Sequence, residues 1–275
     1  MDGYVSSGGV RLWYESRGPA DGPAVLLVSG GGASVVWWPP ELASGIVAAG
    51  CRVVQFDNRD TGLSTHVEEA AAPYGLEDMA ADGLAVLDAA GVGAAHWLGV
   101  SMGGMVCQAA ALAHPERVGS LTLVSTTPGP DPRLGAGDPS VFDGLDRPIE
   151  SDDDFIELQV AFCRAVAGPR FPFDEHHYRR IATADVARGT NPAPGVPSAS
   201  SRVDDLARIR APALVVHGTA DPVYPFDHAE ALAAGIPHAT LVRWEGVGHE
   251  QPPELIPELT RLVVRHVHAA AGRPG

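Results

Sequence analysis

The sequence predicts an α/β fold: a mostly parallel sheet covered by helices on both faces, with one mainly helical insertion. Three observations predict it. Short apolar runs alternate with helical patterns, as in a chain of βαβ units. Most of those runs are near-continuously apolar, the mark of central strands buried on both faces. One stretch, 128–212, breaks the alternation and carries no strong strand signal.

In chain order, "VRLWYE" (10–15) and "AVLLVS" (24–29) read as the first two strands, and "PELASGIVAAG" as the first helix. "RVVQFD" (52–57) is the third strand, followed by the helical pattern "LEDMAADGLAVLDAAG". "AHWLGV" (95–100), helical "MGGMVCQAAALAH" and strand "LTLVST" (121–126) complete the first half. Within the insertion, "TPGPDPRLGAGDPS" is a loop, "SDDDFIELQVAFCRAVAG" a helix with Ser151 as its N-cap, and "GTNPAPGVPSASS" a Pro/Gly/Ser-rich connector. Phe142, Phe162, Phe171 and Phe173 either line an apolar pocket there or form the small unit's own core. "ALVVHG" (213–218) and "TLVRWE" (240–245) are the last strands, with "FDHAEALAAGI" and "PELIPELTRLVVRHVHAA" as the last helices.

A chain of 275 residues, 45% hydrophobic and 19% charged, suits one packed domain with an insertion. Nineteen Lys and Arg against 34 Asp and Glu give a formal charge of −15, which repels a nucleic-acid polyanion. "SDDD" at 151–154 is the one tight acidic cluster and reads as solvated surface. The first residues have neither a basic start nor an apolar stretch of signal-peptide length, and no segment approaches a membrane span; the expectation is a cytoplasmic, membrane-free protein. Cys51, Cys107 and Cys163 fit neither a disulfide framework nor a zinc spacing and read as buried thiols. Oligomeric state is not readable.

The chemistry is concentrated in "GVSMG", where Gly99, Ser101 and Gly103 match G-x-S-x-G between a strand and a helix. A nucleophile on so sharp a turn has a strained backbone, and small residues two before and two after it avoid collision. The turn also sets the Ser101 hydroxyl at the positive end of the following helix and offers the Met102 N–H to a developing oxyanion. A second donor is expected from the glycine-rich turn "SGGGAS" (29–34), at Gly31 with Gly32 as alternative. No Lys-Ser/Thr follows that turn, so it is not a phosphate loop.

Serine needs a base, and the base an acid to fix its tautomer. Asp221 lies just beyond the strand 213–218 and His249 in a Gly-containing loop beyond the next strand, giving the order Ser101, Asp221, His249. Asp131 is the competing acid; His66, His96, His114, His217 and His228 read as structural or surface residues.

Together, "VSGGGAS", "FDNRDTGLS", "GVSMGG", "HPERVGSLTLVST", "IRAPALVVHGTADPVYP" and "GVGHEQPPEL" make the chain resemble the α/β-hydrolase superfamily over essentially its full length. The resemblance implies an eight-stranded, mostly parallel sheet, a Ser-His-acid triad, and a cap after the sixth strand. The core is then 1–127 with 213–275, and the cap 128–212. The oxyanion loop begins Ser29-Gly30 where the family often has His-Gly. "DNRDTGLS" with "PYGLEDMAAD" resembles the aclacinomycin methylesterase group, which hydrolyses the methyl ester of an anthracycline polyketide. Arg59 and Asp60 are expected to brace their loop as a pair. The expected activity is cofactor-free hydrolysis of a small-molecule carboxylic ester through an acyl-serine. Alternatives on the same triad are a cofactor-free haloperoxidase or perhydrolase, a lactonase and a C–C hydrolase; a ligand-binding member without turnover is the alternative of another class.

Overall fold

A computed structural model describes residues 1–67, 74–144, 149–191, 195, 197 and 199–272. Eight strands form one sheet: β1 (Asp2–Ser7), β2 (Val10–Arg17), β3 (Ala24–Val28), β4 (Arg52–Phe56), β5 (Ala95–Val100), β6 (Val118–Val124), β7 (Ala213–Gly218) and β8 (Thr240–Trp244). Their order is β1-β2-β4-β3-β5-β6-β7-β8. Strand β2 runs antiparallel to both β1 and β4, and every other pairing is parallel. Strand β1 escaped the sequence reading because it is an edge strand that alternates exposed and half-buried positions and has no apolar run.

Helices α1 (Pro40–Ala48) and α7 (Ile256–Ala271) cover one face of the sheet; α2 (Leu76–Ala89), α3 (Met102–Ala113) and α6 (Phe226–Gly235) cover the other. Neighbouring residues of one strand serve opposite cores. Val25 and Leu27 pack with Leu42, Ile46, Leu259 and Val263, while Leu26 and Val28 pack with Met79, Leu87 and Val106. Two-sided burial is why these strands read as unbroken apolar runs.

Between β6 and β7 lie α4 (Asp152–Ala165) and α5 (Glu175–Gly189), packed on each other. Ser151 caps α4, accepting from the Asp154 N–H at 3.1 Å, and the three acidic residues of the first turn sit at the positive helix end. Helix α5 had no sequence prediction. Of the connector 189–201, residues 192–194, 196 and 198 lie outside the described residues, as does Pro73 of "PYGLEDMAAD". The phenylalanines pack within the insertion or onto the core. Phe142 stacks on Phe162 and Phe173 on Tyr178, with ring centroids 6.0 and 5.0 Å apart, while Phe171, partly buried, packs against the core on the α1–α7 side of the sheet.

All three cysteines are free and buried. Among the described residues no helix is long and apolar enough to cross a membrane, and no cluster of three or more His, Cys, Asp or Glu could hold a metal ion.

Candidate active site

Ser101 lies between β5, at the centre of the sheet, and α3, with φ +53° and ψ −122°. That conformation is costly for a residue with a Cβ and persists only where the surroundings impose it. Here the Ser101 N–H donates to Val124 O (3.0 Å), while its carbonyl accepts from Gly104 N (2.9 Å) and Thr126 Oγ1 (2.6 Å). The flanking glycines are sterically required. A Cβ on Gly99 would stand 2.3 Å from Gly103 O, and one on Gly103 would stand 2.1 Å from Val28 O.

The structure brings Ser101, His249 and Asp221 together. Ser101 Oγ is 3.0 Å from His249 Nε2, and His249 Nδ1 is 2.8 Å from Asp221 Oδ2. His249 and Asp221 are 8% and 5% exposed, so the bond between them lies out of bulk water, while the Ser101–His249 bond is partly buried. Asp221 Oδ1 accepts the Val223 and Tyr224 N–H groups at 2.8 and 2.9 Å. Burial alone pushes this carboxyl up, but hydrogen bonds from His217 and His249 outweigh it and hold Asp221 well below the usual carboxylate range. An ionised acid that fixes the Nδ1 proton leaves Nε2 free to accept from serine.

The loop after β3 arches over the elbow: a Cβ on Gly30 would be 3.5 Å from Ser101 Cβ, and one on Gly31 would be 3.8 Å from Met102 Sδ. Ala33 N donates to Gly30 O at 3.4 Å, closing a turn in which Gly32 takes φ +67°, the position that favours glycine. Met102 opens α3 directly after the serine.

Asp131, the competing acid, is engaged elsewhere by Arg133 Nε (2.6 Å) and Ser201 Oγ (2.7 Å). Arg59 and Asp60 are not a pair. Arg59 reaches across to α2 and grips Asp82 with two bonds of 2.7 and 2.8 Å, because Asp60 turns away to accept from Val67 N and contacts Tyr74. His228 bonds Thr127 Oγ1 and Gly135 O, and His96 bonds Ser120 Oγ.

His217, expected to be a structural or surface residue, lies against Asp221 in the site. It is fully buried, with Nε2 2.8 Å from Tyr224 O and 3.2 Å from Asp221 Oδ2. The signal available was a single polar residue inside the apolar strand "ALVVHG", four positions before the acid. The His249 loop is also tied to the α4–α5 connection. His249 N donates to Val166 O (2.9 Å), Arg170 N to Gly246 O (2.9 Å) and Gly168 N to Glu250 Oε1 (3.0 Å).

An eight-stranded sheet of this order, with a serine on a strained strand–helix turn against a buried His–Asp pair, defines the hydrolase class. The sequence profile of the alpha/beta hydrolase fold matches residues 23–254, and the chain belongs to that family. It is 36% identical to rhodomycin D methylesterase of Streptomyces peucetius, the match covering 97% of this chain and 98% of that one. Non-heme chloroperoxidase of Streptomyces lividans is 29% identical over 96% of this chain and 99% of its own length. Among solved structures, the esterase RhEst1 of Rhodococcus sp. ECU1013 superposes with a TM-score of 0.76 at 25% identity, covering 99% of this chain and 98% of that one.

Proposed function

We propose that the chain is a serine carboxylic ester hydrolase whose substrate is the methyl ester of a polyketide-type aromatic natural product. The observation that carries the reading is the 3.0 Å approach of His249 Nε2 to Ser101 Oγ, with His249 Nδ1 held by Asp221. Ser101 Oγ attacks the ester carbonyl and passes its proton to His249 Nε2. Backbone N–H groups of Gly31 and Met102 hold the oxyanion, and the imidazolium, stabilised by Asp221, returns the proton to the departing alcohol. Water deprotonated by His249 then attacks the acyl-serine and frees the acid. The relatedness to a methylesterase supports methanol as the leaving alcohol. Residues 128–212 act as a cap over this site, on a core of 1–127 and 213–275. Three unpaired thiols and a charge of −15 fit a cytoplasmic enzyme acting on a small molecule and not on a nucleic acid.

The test is hydrolysis of short p-nitrophenyl esters, alongside methanol release from a bulky aromatic polyketide methyl ester, for the wild type and Ser101→Ala. Loss of Ser101 is expected to cost about 10⁴ to 10⁶ in kcat; a variant keeping most of its activity removes Ser101 from the mechanism. The chloroperoxidase relative favours one second reading, attack of hydrogen peroxide on the same acyl-serine. Peracid formation faster than hydrolysis at equal peroxide and ester selects it.

A further inference from the structure

We propose that Asp185, on α5 of the insertion, is a positioning residue for the loop that supplies the second oxyanion donor. This rests on the ester-hydrolase reading above.

The loop 29–34 contains Gly30, Gly31 and Gly32 in succession, so it has almost no side chain of its own with which to pack. Its placement over Ser101 is therefore set by its two ends. At the first, Asn58 Nδ2 donates to Ser29 O at 3.1 Å. At the second, Ser34 Oγ accepts from Val36 N at 3.4 Å, capping the single helical turn Val35–Trp37, and donates to Asp185 Oδ1. Trp37 Nε1 donates to Asp185 Oδ2 at 2.8 Å, so one carboxylate spans the helical turn that anchors the loop. Asp185 is 2% exposed, and Ser34 is fully buried.

One turn further along α5, Arg188 Nε lies 3.1 and 2.9 Å from the two oxygens of Asp57, whose Oδ1 accepts the Val35 N–H at 2.9 Å. Helix α5 thus holds the far end of the loop directly through Asp185 and through Arg188 by way of Asp57. Burial pushes the Asp185 carboxyl up, and the bonds from Ser34 and Trp37 oppose this. A carboxylate carried to this place by the insertion and satisfied by two loop donors is a brace between the insertion and the catalytic turn. Its removal frees the donor N–H to drift from where the oxyanion forms, while the surface that meets the ground-state ester stays in place.

Asp185→Ala, Ser34→Ala and Trp37→Phe are compared with wild type in two assays: kcat and KM on a p-nitrophenyl ester, and the rate at which a fluorophosphonate labels Ser101. In the labelling step serine oxygen bonds to phosphorus, its proton passes to His249 Nε2, fluoride leaves, and the phosphoryl oxygen needs the same donors. The expected result for Asp185→Ala is a 10- to 100-fold fall in both kcat and labelling rate, with KM within about twofold, since removal of a whole oxyanion donor costs about 10² to 10³. Trp37→Phe, which deletes one bond to the carboxylate, and Ser34→Ala, which deletes the other together with the 3.4 Å cap bond from Val36 N, both keep Asp185; they are expected to fall between, and they carry the test if Asp185→Ala does not fold. Wild-type kcat and labelling rate in all foldable variants, or a rise in KM alone, would overturn the assignment. A wild-type protein that labels at Ser101 but hydrolyses no ester would instead overturn the ester-hydrolase reading, and the labelling rates would still report on Asp185.

Discussion

Acidification from about pH 7.5 to 4.5 is expected to remove about 2–3 kcal/mol of folding stability through one side chain, His96. His96 sits on β5 at 9% exposure with Nδ1 2.8 Å from Ser120 Oγ. Burial, with repulsion from His266 and His268 on α7, lowers it from its ordinary 6.5 to about 4. The unfolded chain takes up this proton near 6.5 and the folded protein only near 4, so the unfolded state binds more protons between those values. Stability contributed by the neutral ring is therefore fully present above 6.5 and lost as the pH falls towards 4. The whole interval, at about 1.4 kcal/mol per pH unit, amounts to about 3 kcal/mol, most of it lost by pH 4.5. Urea denaturation of wild type and His96→Asn at both pH values measures it, the asparagine amide standing where Nδ1 meets Ser120. Asp57, Asp82 and Asp185, whose carboxyls burial pushes up, act in the opposite sense but are common to both proteins and cancel in the difference. An asparagine variant that loses as much stability as wild type over this range would refute the argument.

Asp221→Asn is expected to lower kcat about 10³- to 10⁴-fold with little change in KM, because an amide can present N–H to His249 and favour the wrong tautomer; steady-state kinetics retaining a tenth of wild-type activity would contradict it. Gly103→Ala drives a methyl to 2.1 Å from Val28 O and is expected to cost about 1–3 kcal/mol in denaturant titration and most of the Ser101 labelling rate. Arg59→Met leaves Asp82, 1% exposed, without its cation and is expected to destabilise by about 3–5 kcal/mol, whereas Arg59→Met combined with Asp82→Leu recovers most of that loss. Equal losses in the single and double variants would show that packing, and not the stranded charge, sets the cost.

How much of this was legible depended on whether each cause was local. Strands such as Ala24–Val28 and Ala213–Gly218 announce themselves because both faces are buried and nearly every position is apolar or small, His217 being the exception. Asp2–Ser7 is held by its ladder to β2, which leaves no trace in composition. Helix α5 buries Tyr178, Ala182 and Asp185, a stripe at helical spacing in which one of three positions is acidic, so its apolar periodicity is hidden. Within the site, Ser101 is legible because the elbow's demands fall on five consecutive residues, and Asp221 and His249 because each follows a strand. His217 reads as one more strand residue, since its role depends on where Asp221 folds back. Asp185 and Ser34 are 151 positions apart, and nothing in either neighbourhood names the other. The pairing of Arg59 with Asp82 was missed for the same reason, the nearer acid being the wrong one.

Gly168 carries a consequence for redesign. A side chain there would collide with Gly246 O and Gly248 N, at 2.4 and 2.3 Å, so main chain lies directly on main chain beside the His249 loop. The junction of α4 and α5 is thus a fixed pivot, and its length is dictated by its contact with the 246–250 loop. Exchanging helices with a relative to change substrate scope has to carry the 246–250 loop along as one cassette; a transplant cut at 150 and 190 alone would arrive with its own pivot and a displaced histidine.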